Sequence, residues 1–143
     1  MNLNLKKCRT AIFALILAGV WISGAGAQDG AEAKKEKLVL VRAVMCEKVK
    51  DHRPVNPSII FSVDLGKAHC YNYFDPVPEQ TVVYHKWFRN NQLIANIVLP
   101  LSPPRWSTFS TIHLRGVDKG PWRVEIFSQD DTLLKTLMFS ITE

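Results

Sequence analysis

Four residues in two short segments combine a flat aromatic ring with a side chain that can hydrogen-bond a polar ligand. His85 and Trp87 lie two positions apart in "HKWF", and Arg105 precedes Trp106 directly after "SPP". A guanidinium presents a planar fork of donors to a carboxylate or a pair of hydroxyls, whereas an indole offers an apolar plate to a sugar ring or a peptide side chain. We therefore hypothesise a ligand-binding surface formed by His85, Trp87, Arg105 and Trp106.

A purely structural interpretation fits the same four residues. Tryptophan is highly buried on average in folded proteins, so both rings could belong to the core. His85 and Arg105 would then hydrogen-bond loop carbonyls and hold the fold.

The sequence carries no recognisable catalytic or metal-binding motif. The G-x-S-x-G turn of a nucleophile elbow is absent, and the carboxylates fall mostly in presumed turns, such as Asp75 and Glu79. The cysteines and histidines lack C-x-x-C or H-x-x-x-H spacing. We expect no enzymatic activity, no metal site and no cofactor.

The amino terminus has the composition of a secretory signal peptide. Three basic residues precede an apolar run over residues 11–22, and the small-residue site Ala25-Gly26-Ala27 follows. The run is shorter than the roughly 20 apolar residues of a spanning helix, which favours a cleaved signal peptide. An uncleaved anchor is the weaker alternative. We predict cleavage after Ala27 and export to the periplasm or beyond, with membrane contact only through this segment if it is retained.

Cleavage changes both length and charge. Removing 27 of the 143 residues leaves 116, enough for one domain with a core. The removed segment holds three cations and no acid, so the formal net charge falls from +5 to +2. The basic character belongs largely to this segment, and we expect no nucleic-acid partner. The predicted organisation is a signal peptide over 1–27, a charged spacer over 28–37 and one domain over 38–143.

Export also bears on the cysteines. Loss of Cys8 would leave Cys46 and Cys70 as an even pair in a compartment where disulfides persist. We predict a bridge between them, which would stabilise the fold by roughly 3.5 kcal/mol in the chain-entropy description. Two free buried thiols are the alternative.

From Leu38 onward the pattern is that of short β-strands. Eight runs rich in β-branched and aromatic residues are separated by Pro, Asn or Asp, and no long helical period appears. In the second run, "SIIFSVD", the alternation places Ile59, Phe61 and Val63 on one face. The sequence therefore predicts an all-β fold, an antiparallel immunoglobulin-like β-sandwich of about seven to eight strands.

One pair of runs predicts a β-hairpin. "QTVVYHKWF" and "QLIANIVL" flank "RNN", a composition typical of a tight turn. The two-residue period places Leu93, Ala95, Ile97 and Leu99 on its inward face.

The run "PWRVEIF" has the alternation of a sheet with one solvated side. Trp122, Val124 and Ile126 share one face, which we assign to the core. Arg123 and Glu125 share the other face and are expected in solvent.

Several short boxes, in this order, resemble the bacterial domain of unknown function 2914, a secreted or membrane-tethered all-β domain. They are "CEKVKDHRPV", "HCYNYF", "HKWFRNNQLI", "RWSTFS", "GPWRVEIF" and "LMFSI", and the resemblance covers roughly residues 38 to 142. The resemblance implies the fold and no activity. The matching positions are Cys46, Arg53, Pro54, Phe61, Cys70, His85, Trp87, Arg105, Ser110, Trp122 and Phe139.

The chain departs from the family pattern at three positions. Ser107 stands where a second basic residue is expected, Ile112 where a lysine is common, and Asp131 at a turn position often held by glycine. The resemblance therefore does not imply an intact basic strip for anions.

The sequence favours an exported binding or assembly module of the cell envelope with an envelope protein as partner. A glycan-binding module is the alternative, and an enzyme comes third. A row of tryptophans on one outer face would favour a glycan, whereas a long apolar edge strand would favour protein assembly by strand addition.

Overall fold

A computed structural model describes residues 34–143, which form nine β-strands and two 3₁₀ turns without an α-helix. The predicted signal peptide over 1–27 and most of the predicted spacer over 28–37 lie outside these residues. No helix within residues 34–143 is long and apolar enough to cross a membrane. The strands are β1 Leu40–Lys50, β2 Arg53–Pro57, β3 Ile60–Ser62, β4 Lys67–Phe74, β5 Thr81–Arg89, β6 Gln92–Leu101, β7 Trp106–His113, β8 Gly120–Ser128 and β9 Leu133–Thr142.

The strands form two sheets. The four-stranded sheet has the order β2-β1-β4-β7, and the five-stranded sheet has the order β3-β9-β8-β5-β6. The predicted all-β sandwich is confirmed. Two details differ from the prediction: β2 is a ninth strand, and the three-residue β3 pairs with β9 in parallel.

The core lies between the sheets and is rich in aromatic side chains. Trp122, Val124 and Ile126 are all buried, which confirms the predicted inward face of β8. The Phe139 ring packs against Trp122 with centroids 6.2 Å apart and meets Trp87 edge-on at 5.9 Å. These contacts join β5, β8 and β9 through their inner faces.

The predicted β5–β6 hairpin is present. Its two turn residues, Asn90 and Asn91, have φ values of 47° and 62°. Asparagine tolerates this left-handed region, and a two-residue turn of this kind matches the twist of the strands it joins. The inward side chains Ala95, Ile97 and Leu99 are half-buried, as predicted.

Leu93 does not share that inward face, so this part of the hairpin prediction is wrong. A β-bulge shifts the register between Trp87 and Phe88, which pairs Leu93 with Phe88. Because an extra residue inverts the alternation of faces, Leu93 points outward and is 51% exposed.

The prediction for the second run is correct only in part. Phe61 is fully buried, and Val63, in the 3₁₀ turn after β3, packs against the core. Ile59 is 69% exposed because it precedes β3 and does not follow the alternation of side-chain faces along that strand.

The structure corrects the predicted disulfide. Cys46 and Cys70, the two cysteines in residues 34–143, are buried free thiols. The β1–β4 register places Cys70 opposite Met45, and Cys46 opposite His69. Since successive strand residues point to opposite faces, Cys70 enters the core with Met45 while Cys46 points to the outer face. The sheet therefore lies between the two thiols.

Candidate functional site

The structure divides the four predicted site residues into two pairs. His85 and Trp87 share a face of β5, as the sequence indicated, but both side chains are fully buried in the core. Arg105 and Trp106 lie at the start of β7 and are exposed. The four residues therefore do not form one surface, and the candidate site is the exposed pair with its neighbours.

The buried pair belongs to a polar network that joins the two sheets. His85 Nδ1 lies 2.6 Å from Ser110 Oγ on β7, and Trp87 Nε1 donates to the same oxygen at 3.2 Å. The other ring nitrogen of His85 is hydrogen-bonded to the Asn72 side chain on β4. The Asn72 amide nitrogen faces Nε2 and donates its hydrogen bond to it. The imidazole proton therefore lies on Nδ1, which donates to Ser110 Oγ.

Burial lowers the pKa of His85 to about 3, so this imidazole is neutral at physiological pH. Buried polar groups are costly unless they are hydrogen-bonded, and here both ring nitrogens have partners. The network therefore satisfies polar atoms inside the sandwich and fixes the two sheets relative to each other. His85 and Trp87 have a structural role, which matches the structural interpretation of this pair.

The exposed pair lines a small surface groove. Its volume is about 210 Å³, and its walls are His52, Tyr73, Arg105, Trp106 and Ser107. Three of these side chains are aromatic or imidazole rings, and the others supply a guanidinium and a hydroxyl. We call these five residues the Trp106 groove.

Strand pairing and one hydrogen bond assemble the groove from three segments. The β4–β7 register places Tyr73 opposite Ser107 on neighbouring strands. His52 belongs to the β1–β2 turn, and the Tyr71 hydroxyl donates to its carbonyl oxygen at 2.8 Å. This bond ties the turn to β4 and brings His52 toward Tyr73.

The Trp106 ring and the Arg105 guanidinium are available for a ligand. Trp106 is 41% exposed, and Arg105 takes part in no ion pair among residues 34–143. The Tyr73 hydroxyl donates to Asp75 Oδ2 at 3.2 Å, which fixes the direction of the ring at the rim. The groove can therefore pair a carboxylate with Arg105 while an apolar group lies on Trp106.

A second depression of about 860 Å³ lies between residues 35–38 and the loops that precede β5 and β9. Lys35 and Glu79 form an ion pair of 3.0 Å across it, and both side chains are largely exposed. No group of three or more His, Cys, Asp or Glu side chains within residues 34–143 is arranged to hold a metal ion.

A buried carboxylate holds the connection between β7 and β8. Asp118 accepts two hydrogen bonds from Arg115, at 2.6 and 3.1 Å, and lies 3.6 Å from Arg89. The bond from Arg115 is the main cause that lowers the pKa of Asp118. Its carbonyl oxygen also accepts a bond of 2.7 Å from the Trp122 indole. This cluster anchors the loop to the core.

Sequence reasoning missed His52, Tyr73 and Ser107. Tyr73 stands in the alternating run "KAHCYNYF", where its outward phase could have been read as a surface aromatic. Its pairing with β7 depends on tertiary register, which the sequence alone does not provide. His52 precedes the box residues Arg53 and Pro54, and nothing in that spacing indicates that the turn meets β4.

Two of the solved structures that match this chain show a limited likeness to it. One is the β-glucosidase from Listeria innocua in complex with glucose, with a TM-score of 0.42 and 9% identity over 75% of this chain and 16% of that one. The other is the β-D-glucoside glucohydrolase from Trichoderma reesei, with a TM-score of 0.39 and 17% identity over 74% of this chain and 19% of that one. The chain thus spans less than a fifth of either enzyme. No curated protein matches it.

The family comparison covers the last five strands. Residues 80–141 match the family described as "Protein of unknown function (DUF2914)". This segment contains four of the six boxes that carry the resemblance, those around His85, Arg105, Trp122 and Phe139, and the two boxes before residue 80 lie outside the match. This match supports the resemblance to the DUF2914 family that the sequence indicated.

Proposed function

We propose that this protein is an exported binding module of the cell envelope that holds a segment of a protein partner in the Trp106 groove. The observation that carries the proposal is the exposed Trp106 ring beside Arg105, a guanidinium without a carboxylate partner among the described residues. An exposed tryptophan and an arginine are the residue types that dominate binding energy in protein interfaces.

The size and composition of the groove favour one side chain or chain terminus as its occupant. About 210 Å³ is smaller than the usual pocket for a drug-sized ligand. An acidic side chain or a terminal carboxylate would pair with Arg105, and an adjacent apolar side chain would lie on Trp106. Tyr73 and His52 would close the far side of the groove.

The distribution of tryptophans supports a protein partner over a polysaccharide chain. Trp106 is the one exposed tryptophan in residues 34–143, since Trp87 and Trp122 are buried. A row of rings that could stack on successive sugars is therefore not formed in this part of the chain. We propose binding without catalysis, because no carboxylate lines the groove and no hydrogen bond among the described residues joins the His52 imidazole to the Ser107 hydroxyl.

A glycan remains the second candidate because the Trp106 ring could receive one sugar. Arg105 and the Tyr73 hydroxyl would then contact an acidic or hydroxylated ring. This arrangement would suit a single terminal sugar.

The test uses wild-type protein as bait against solubilised envelope proteins and, separately, against an array of envelope glycans. Arg105→Ala and Trp106→Ala should each weaken capture of the same partner at least tenfold. Phe109→Ala is the matched control, because Phe109 is an exposed aromatic of the same strand, 45% exposed, that does not line the groove. Equal capture by all variants would overturn the groove proposal, and retention by the glycan array alone would assign the second candidate.

A further inference from the structure

Strand β6 is an edge of the five-stranded sheet. It pairs with β5 on one side, and the sheet ends at its other side. An edge strand presents unpaired backbone N–H and C=O groups that can accept another strand. The ten residues of β6, "QLIANIVLPL", contain no Asp, Glu, Lys or Arg.

The other sheet edges are less suited to strand addition. Strand β2 has five residues, two of them proline, and β3 has three residues. Strand β7 has eight residues and carries mostly serine and threonine between its aromatic side chains. Natural proteins protect edges by short length, proline and charge, and β6 has only Pro100, near its end.

The outer side of β6 is apolar and exposed. Leu93 is 51% exposed, Ile94 49% and Val98 54%. Exposed apolar side chains on an unpaired edge are a hazard for aggregation unless a defined partner covers them.

We propose that two copies of this chain pair through β6 in antiparallel orientation, centred on Asn96, so that the two five-stranded sheets join into one. In this register Ile94 lies opposite Val98 of the second copy, and Asn96 lies opposite its own counterpart. The facing apolar residues are similar in size, and two asparagine amides can hydrogen-bond each other. The strand is therefore complementary to itself.

Charge supports a second copy as the occupant. A charged edge strand would place like charges opposite each other in a symmetric pair, at a cost in stability. Because β6 has no formal charge, self-pairing meets no such repulsion. A basic or acidic partner strand, by contrast, would find no complementary charge on β6.

Two features limit the length of the pairing. The bulge at the Leu93 end interrupts the alternation, and Pro100 has no N–H to donate. About five residues, 94–98, would pair in each copy, which makes a small interface. The dimer should therefore dissociate on dilution.

The experiment measures the mass in solution of the protein purified from periplasmic expression, from about 1 µM to about 1 mM. Wild type should shift from monomer to dimer across this range. Val98→Lys should remain monomeric, because it places two ammonium groups near the pairing strands. Met138→Lys is the matched control: Met138 is 70% exposed on β9 of the same sheet, away from this edge, and its variant should dimerise like wild type.

A covalent cross-link tests the register. Asn96→Cys should form an intermolecular disulfide on mild oxidation, whereas Gln92→Cys, four residues from the centre, should not. A wild type that stays monomeric throughout, or a Val98→Lys variant that dimerises normally, would overturn the proposal. Protection of the β6 amides from hydrogen exchange only after addition of envelope proteins would overturn self-pairing and assign this edge to another protein.

Discussion

His85 on β5 and Ser110 on β7 are linked across the interior of the sandwich, with Nδ1 and Oγ 2.6 Å apart. The two residues belong to different sheets, and neither sheet contains the bond by itself. This link explains why His85, which the sequence placed in a ligand-binding surface, is fully buried. It also makes the stability of the domain depend on the protonation of one imidazole.

We predict that acid destabilises the domain through His85. Its pKa is about 3 in the folded protein and about 6.5 in an unfolded chain, so the unfolded state binds the proton first as pH falls. Stability is therefore full above about pH 6.5 and decreases by about 1.4 kcal/mol per pH unit below it. Urea denaturation at pH 7.0, 5.5 and 4.5 measures this slope.

His85→Gln is the control for the acid effect, because glutamine can hydrogen-bond Ser110 and does not titrate. Its free energy of unfolding should depend less on pH than that of wild type, even if the variant is less stable at pH 7. Burial also lowers the pKa of His69, but this residue is present in both proteins and its contribution cancels. The same pH slope in both proteins would contradict the prediction.

Replacement of Trp122 by alanine should destabilise the domain by about 3–5 kcal/mol, because a large buried ring leaves a cavity. Arg123→Ala should cost about 1–2 kcal/mol through loss of the 2.8 Å ion pair with Glu125 and of the stack over Phe88. Chemical denaturation of both variants gives the comparison. Equal effects would show that β8 does not have the inward and outward faces described above.

The two thiols should be protected in the native protein. Burial raises the pKa of Cys46 to about 11 and also raises the pKa of Cys70, and the thiolate is the reactive form. A thiol reagent should label both cysteines slowly under native conditions and rapidly in denaturant, and a reductant should leave stability unchanged. Peptide mapping that finds a Cys46–Cys70 bridge after periplasmic expression would contradict the free-thiol arrangement.

The proposed export predicts a mature chain that begins at Gln28. Mass spectrometry of the amino terminus after expression with the native leader should show loss of the first 27 residues. Ala27→Arg should block processing, because the cleavage site requires a small residue there. An intact Met1 in the envelope fraction would instead support a retained anchor.

Local patterns predicted much of the fold. The alternation around Trp122 assigned the inward face of β8, and the Asn90-Asn91 pair located a hairpin turn. The departure at Asp131 also has a structural meaning, since its φ of 62° is the left-handed conformation that favours glycine. A single extra residue, however, turned Leu93 outward, and a one-residue bulge leaves no clear trace in an alternating run.

The site could be predicted only in part. His85 and Trp87 share a face, as the two-residue period requires, but the period does not tell which face is covered by the second sheet. His85 and Trp87 are fully buried because β5 lies inside its sheet, between β6 and β8. Tyr73 and His52 join Trp106 through strand register and a turn contact, both of which arise only in the tertiary structure.

Site-specific photocrosslinking in living cells tests the groove most directly. A photoreactive phenylalanine analogue at position 106 should give a covalent adduct with one envelope partner after irradiation. The same analogue at position 109, on the same strand and outside the groove, should give none. Adducts at position 109 without adducts at position 106 would contradict the account and move the binding surface away from the Trp106 groove.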